Sequence, residues 1–251
     1  MAWMFDSHIH LSDPSYEKDL YHIIKGMENL QIKACCVSMN YSNSKKTLNI
    51  AKQSDLILPF IGIHPEHAND NLDEMMNLVQ DNIQNITGIG EIGLDPTYVH
   101  SEEDKKNQRQ VFESLLALAE KNQKPISIHS RKSLEDIFEI MTSYKTKKAL
   151  LHWFDGNKKQ LKKAMDMDFF VSYGPVMIYA NDKQTLLSKT NEEKILVETD
   201  GPVSFGNCFE MKSAQIEFIP SVIFCSSKIL GKSYDEMVSV LEENTKNYLG
   251  I

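Results

Sequence analysis

The sequence predicts an α/β protein: a (β/α)8 TIM barrel, a single domain spanning 1–251, with an additional C-terminal helix. Three observations carry this expectation. The 251 residues match the usual size of an eight-stranded barrel with its helices. Eight short apolar runs alternate with longer amphipathic stretches, the pattern of βαβ units and a parallel sheet. Side chains suited to catalysis recur where those runs end, and barrel enzymes assemble their sites at strand C-termini.

The elements follow in order. The first run, 3–5, leads directly into DSHIH, residues 6 to 10. Alternate residues of an extended strand share a side, so Asp6, His8 and His10 are expected on one face. A helical pattern over 15–30 contains His22, expected to be structural or exposed. The second run, 33–39, holds Cys35 and Cys36, and Asn43 offers a cap for a helix over 43–54. Run 56–63 ends FIGIHP, delivering His64 with His67 just beyond, and a helix over 71–84 starts at Asn71.

Run 87–92 passes through GIGEIGLD and delivers Glu91 among Gly88, Gly90 and Gly93, which leave room for close approach. The helix over 103–122 carries an apolar stripe of Leu115, Leu116, Leu118 and Ala119. In run 125–129, PISIHSR, alternation turns Ile126 and Ile128 toward the helices and Ser127 and His129 into the barrel; Arg131 follows. After a helix over 132–145 capped at Ser133, run 149–152 delivers His152, then Trp153 and Phe154. A helix over 157–167 opens at Asn157. Run 169–172, a helix over 181–190 and run 195–198 lead to ILVETDGP and Asp200. Two last helices are expected near 210–230 and over 234–248.

Composition narrows the function classes. Apolar residues make up 41% and charged residues 25%, ordinary for a globular protein, which argues against disorder. The longest apolar stretch, 57–63, is far short of the roughly 20 residues of a membrane span. The N-terminus shows no basic segment followed by an apolar one, so no secretory signal is expected. Four cysteines form no CxxC pair, and Cys35 and Cys36 read as buried, reduced thiols, which suits a cytoplasmic setting. The net charge is −8 and no strongly basic block appears. Lys158, Lys159, Lys162 and Lys163 read as a solvated helix face. Stable duplex-DNA binding is therefore not expected, whereas capture of a nucleic-acid end or a small phosphodiester is compatible with the charge.

Six of the eight histidines lie at or just past a strand end. Each taken singly has a bland explanation, and Glu91 alone would pass as a loop carboxylate. Taken together, His8, His10, Glu91, His129, His152 and Asp200 make six ligands, more than one tetrahedral zinc needs. A carboxylate bridges through its two oxygens, and catalytic metal pairs sit about 3.5–4 Å apart. The expected partition gives one metal to His8, His10, Glu91 and Asp200, and the other to Glu91, His129 and His152.

The series DSHIH, GIHP, GEIGLD, PISIHSR, LHWFDG and TDGP, running in order from residue 6 to residue 202, resembles the TatD-like metal-dependent hydrolases, a branch of the amidohydrolase-type barrels. The resemblance implies a binuclear site in which the same six residues are metal ligands and Glu91 bridges. It implies Mg2+-dependent deoxyribonuclease activity, often 3′–5′ exonucleolytic. His64 matches a site histidine facing the substrate, and Arg131 follows the fifth-strand ligand as in the family. Two departures, Pro96-Thr97 before Tyr98 and Val203-Ser204-Phe205 after TDGP, fall in loops that would rim the pocket. They bear on the substrate and leave the metal chemistry alone.

The expected mechanism uses two divalent cations (Mg2+, Mn2+ or Zn2+) and a metal-activated hydroxide that attacks phosphorus. Asp200 would orient or deprotonate the water, and His64 and Arg131 would contact the phosphate. Asp6 and Glu198 are candidates for holding a ligand imidazole in its tautomer. Trp153 and Phe154 suit base stacking, though packing is the expected role. Asn157 could open a helix whose amides welcome an anion. Two rival readings use the same ligands: a metal-dependent deacylase or amidase, and a non-catalytic metal-binding barrel. Imidazoles bind metal only when neutral, so activity should fall below about pH 6.

Overall fold

The computed structural model describes residues 2–251. Eight strands, β1 (Met4–Ile9), β2 (Ile32–Cys36), β3 (Ile57–Ile61), β4 (Gly88–Gly93), β5 (Ile126–His129), β6 (Ala149–Leu151), β7 (Phe170–Tyr173) and β8 (Ile195–Val197), pair in parallel in chain order. The helices between them are α1 (Leu20–Leu30), α2 (Tyr41–Ala51), α3 (Leu72–Asp81), α4 (Glu102–Lys121), α5 (Leu134–Met141), α6 (Lys158–Asp166) and α7 (Asn181–Leu187), followed by α8 (Ile219–Leu230) and α9 (Tyr234–Leu249). This is the expected (β/α)8 barrel with an extra C-terminal helix. Beyond the ladder ends, β1 and β8 are tied by two backbone bonds: Asp200 N–H donates to His8 O at 2.9 Å, and His10 N–H donates to Gly201 O at 2.8 Å. Among the described residues, no helix is long and apolar enough to cross a membrane.

Local sequence explains most helix starts. Asn71 and Asn157 cap α3 and α6 through their side chains, and Ser233 and Glu236 form a capping box on α9. Two expected caps differ. Asn40, not Asn43, caps α2, its side chain accepting from Asn43 N–H. Ser133 precedes α5 but spends its hydroxyl on Leu94 O at 2.6 Å. The helix expected near 210–230 begins only at Ile219. Pro220 sits at its first turn, where a missing N–H costs nothing. Upstream, Glu210 and Met211 adopt positive φ and a short antiparallel ribbon forms from β9 (Ser204–Phe205) and β10 (Lys212–Ser213).

Two apolar layers hold the barrel. Ile126, Ile128, Ile61 and Ile63 pack outward with the helices, as strand alternation requires. Phe5, Cys35, Val37, Phe60, Leu150, Phe170 and Leu196 form a separate cluster with Tyr248 and Leu249 of α9. This cluster fills the barrel below the catalytic end. Cys35 and Cys36 are buried free thiols.

Simple alternation fails at two places, both beside expected ligand residues. The register of β1 on β2 slips by one residue between Asp6 and Ile9, and that of β4 on β5 between Ile89 and Ile92. Such an extra residue bends the strand and re-aims side chains. His8 and Glu91 lie inside these two irregular stretches.

Candidate metal centre and active site

The C-terminal ends of five strands bring the expected residues together. Glu91, at the irregularity of β4, is almost fully buried and stands in the middle. Its Oε2 is 3.5 Å from both His8 Nε2 and His10 Nε2. Its Oε1 is 2.7 Å from His129 Nδ1 and 2.8 Å from His152 Nε2. Asp200, carried past β8 at a positive φ, places Oδ1 3.3 Å from His10 Nε2 and 3.5 Å from His8 Nε2. The two oxygens of one carboxylate thus face two different imidazole groups, His8 with His10 and His129 with His152.

Imidazole nitrogens in this cluster face one another. His8 Nε2 is 3.3 Å from His10 Nε2, and His129 Nδ1 is 3.5 Å from His152 Nε2. The His8 and His152 rings stack at 3.8 Å between centroids. Imidazole nitrogens and carboxylate oxygens converging in a buried space can be held together by protons or by a shared cation. Three sets, His8 with His10 and Glu91, His64 with Glu91 and His129, and His8 with His152 and Glu198, each offer ligand atoms within 4.8 Å of one another. Mixed imidazole and carboxylate donors suit divalent ions of the Zn2+, Mn2+ or Mg2+ class, so the residues fit such ions.

Protonation follows from these contacts. Burial would raise Glu91, but His152, His64 and His129 overcome it and hold the carboxylate well below its usual range. Burial would lower His10, His129 and His152, yet each ends above the ordinary histidine value. The opposing causes are Asp200 and Glu91 for His10, Asp95 and Glu91 for His129, and Glu91 and Glu198 for His152. His8 is lowered, by burial and by the neighbouring His152. Burial pushes His64 down to about 3, so it is neutral at physiological pH. Its Nδ1 accepts the Glu66 N–H at 3.1 Å, which leaves the ring proton on Nε2. That nitrogen lies 3.2 Å from His129 Nδ1, so His64 reaches the cluster as an N–H donor.

The residues that orient the imidazoles were the least visible in the sequence. His8 Nδ1 is 2.8 Å from Ser127 Oγ of β5, which leaves Nε2 turned to the cluster. His129 Nε2 is 2.9 Å from Asp95 Oδ2. Asp95 is fully buried and also accepts from Thr97 N–H and Oγ1. Despite its burial, bonds from His129 and Thr97 bring it down to about 2. Ser127 was visible only as an inward-facing residue, and Asp95 only as the last letter of GEIGLD.

Other expectations need correction. Asp6 does not orient an imidazole. It accepts from His8 N–H and Thr199 N–H, both at 3.1 Å, and from Thr199 Oγ1 at 2.5 Å, linking β1 to the end of β8. The slip after Asp6 removes it from the face of His8 and His10. Glu198 does stand beside an imidazole, 3.7 Å from His152 Nδ1, and helps to raise it, but its oxygens also accept from Trp153 N–H at 2.8 Å and Ser172 Oγ at 2.5 Å. The α6 N-terminus offers little to an anion, because Asn157 itself accepts from Lys159 N–H and Gln160 N–H. His22 and His100 are exposed and His67 pairs with Asn40, all outside the cluster.

Beside the cluster lies a cavity of about 440 Å³ lined by His129, Arg131, His152, Trp153, Asp155, Asp200 and Val203 among others. Arg131 is exposed at its edge. Phe154 is core, whereas Trp153 is only partly buried and faces the cavity.

Comparison with known proteins shows the family. A family profile described as TatD related DNase matches residues 5–250. The chain is similar to the uncharacterized metal-dependent hydrolase YabD of Bacillus subtilis, 26% identical over 255 residues and 99% of each chain. It is also similar to the human deoxyribonuclease TATDN3, 25% identical, covering 96% of this chain and 92% of that protein. Among solved structures, YjjV of Escherichia coli K12, a TatD homologue, superposes with a TM-score of 0.89 at 19% identity. That superposition covers 99% of this chain and 98% of the other, a likeness of fold. With the profile matching nearly its whole length, the chain belongs to the TatD-related DNase family.

Proposed function

We propose that the chain is a metal-dependent phosphodiesterase, a deoxyribonuclease that removes nucleotides from single-stranded ends through a pair of divalent cations. The observation that carries this reading is Glu91, whose two oxygens face separate imidazole groups. His8, His10, Glu91 and Asp200 would hold one ion, and Glu91, His129 and His152 the other. Bound there, such ions supply Lewis-acid polarisation of the phosphoryl group and a nucleophile at neutral pH.

The chain's own residues do the rest. Asp200 sits at the cavity edge with Oδ1 turned to His8 and His10, and its second oxygen is available to orient an attacking water and take its proton. His64, neutral and protonated on Nε2, donates to a phosphoryl oxygen. Arg131, exposed at the cavity, pairs with the phosphate through its planar fork.

The test is a substrate panel on metal-reconstituted protein with Glu91→Ala as control. Nucleotide release from 3′-labelled single-stranded DNA, abolished in the variant, is the expected result. A label at each end distinguishes 3′–5′ attack from the reverse, and runs with Mg2+, Mn2+ and Zn2+ rank the ions. Turnover of esters or amides without nucleotide release would transfer the site to carbonyl chemistry.

A further inference from the structure

We propose that the indole of Trp153 is the platform on which the terminal base of a single-stranded nucleic acid stacks while its phosphodiester reaches Glu91. This rests on the phosphodiesterase reading above. Trp153 directly follows His152, so a group resting on the indole lies one residue from the cluster. It lines the same 440 Å³ cavity as His152, Asp200, Arg131 and Val203, a volume within the range of small-molecule sites.

The side chain is held there rather than left to drift. Its backbone sits at φ +40, a conformation that bulky residues adopt only when their surroundings enforce it. The enforcement is visible: Trp153 N–H donates to Glu198 Oε1 at 2.8 Å and to Ser172 Oγ at 3.2 Å. Glu198 is fully buried. Phe205 backs the indole, with ring centroids 5.3 Å apart and planes tilted by 24°. Phe209 in turn packs on Phe205 at 6.1 Å. Core packing would have buried the indole as it buries Phe154, at 1% exposure; here the neighbour of a buried ring is kept open to the cavity. Aromatic faces bind any base, which suits an enzyme that must accept every terminal nucleotide. A duplex end, whose bases are already stacked and paired, gains less from such a platform.

Two measurements on the metal-loaded, full-length protein test this. The first compares a short single-stranded oligodeoxynucleotide with the same oligonucleotide carrying abasic terminal residues, for wild type, Trp153→Phe and Trp153→Leu. Wild type is expected to show a KM about tenfold lower on the ordinary substrate. Trp153→Leu should erase that difference by raising KM for the ordinary substrate alone, with little change in kcat, and Trp153→Phe should retain most of it. An equal effect of Trp153→Leu on both substrates, as expected of a wall residue, overturns the proposal. The second uses Trp3→Phe, which leaves Trp153 as the sole indole of the two in the chain. Saturable quenching of its fluorescence by dAMP supports stacking, and its absence overturns it. Failure to cleave either oligonucleotide would remove the phosphodiesterase reading, and the quenching result would then decide the platform alone.

Discussion

Asp95 Oδ2 lies 2.9 Å from His129 Nε2, while Nδ1 of the same ring lies 2.7 Å from Glu91 Oε1. The buried carboxylate fixes one nitrogen so that the other faces the cluster. Asp95→Asn keeps an oxygen for the Thr97 cap but replaces the acceptor for His129 with an amide. Metal affinity is expected to drop about 10- to 100-fold with the fold intact. Calorimetric metal titration of the variant checks this, and an unchanged affinity would show that His129 needs no anchor.

Protons should compete with metal near neutrality. His10, His129 and His152 sit above the ordinary histidine value because nearby carboxylates outweigh burial. Their protonated forms therefore persist to higher pH in the metal-free protein, and only neutral imidazole binds metal. Affinity should rise steeply with pH through and above about 6.5, with proton release on binding. Binding isotherms in buffers of different ionisation enthalpy would expose this, and a flat pH profile between 6 and 8 would contradict it.

Asp6 gives a stability signature of the opposite kind from an ordinary salt-bridged carboxylate. Burial, only partly offset by Thr199 and the His8 amide, raises it to about 8. The folded state then holds a proton that the unfolded chain releases near pH 4. The stabilisation is fully present below that and is lost as pH rises toward 8, by up to about 1.4 kcal/mol per pH unit. Asp6→Asn keeps the acceptor oxygen for both amides, and its amide N–H replaces the hydroxyl of the protonated carboxyl, donating to Thr199 Oγ1 where an ionised carboxylate would accept from it, so it should fold and should flatten this slope. Urea unfolding of both proteins in chelator at pH 5 and pH 8 measures it; parallel pH dependences would refute the protonated Asp6.

Tyr248 closes the lower end of the barrel. It is fully buried, packs on Phe60 and Phe170 at 6.2 and 5.6 Å, and its hydroxyl has no hydrogen-bond partner among the described residues. Tyr248→Ala should cost about 3–5 kcal/mol by leaving a cavity. Tyr248→Phe should be neutral or stabilising, since it removes an unsatisfied buried group. Chemical denaturation of the pair separates the roles of ring and hydroxyl. A large loss in the Phe variant would mean that the hydroxyl is paired.

The sequence by itself determined the barrel and the identity of the cluster. Eight apolar runs, each short enough to be a strand and separated by helical periodicity, leave few other packings, and reactive residues after those runs must meet at one end of a parallel barrel. His8, His10, Glu91, His129, His152 and Asp200 were legible for that reason. Tertiary structure alone decided how they are aimed. The one-residue slips in β1 and β4 depend on pairing with a neighbouring strand, so alternation read along one strand placed Asp6 wrongly. Asp95, Ser127 and Glu198 took their partners from other strands or from the loops beyond them, through contacts that no local pattern encodes. The same holds for Trp153 and Phe154: adjacent in sequence and alike in chemistry, they were separated into cavity wall and core only by the backbone turn that Glu198 and Ser172 enforce.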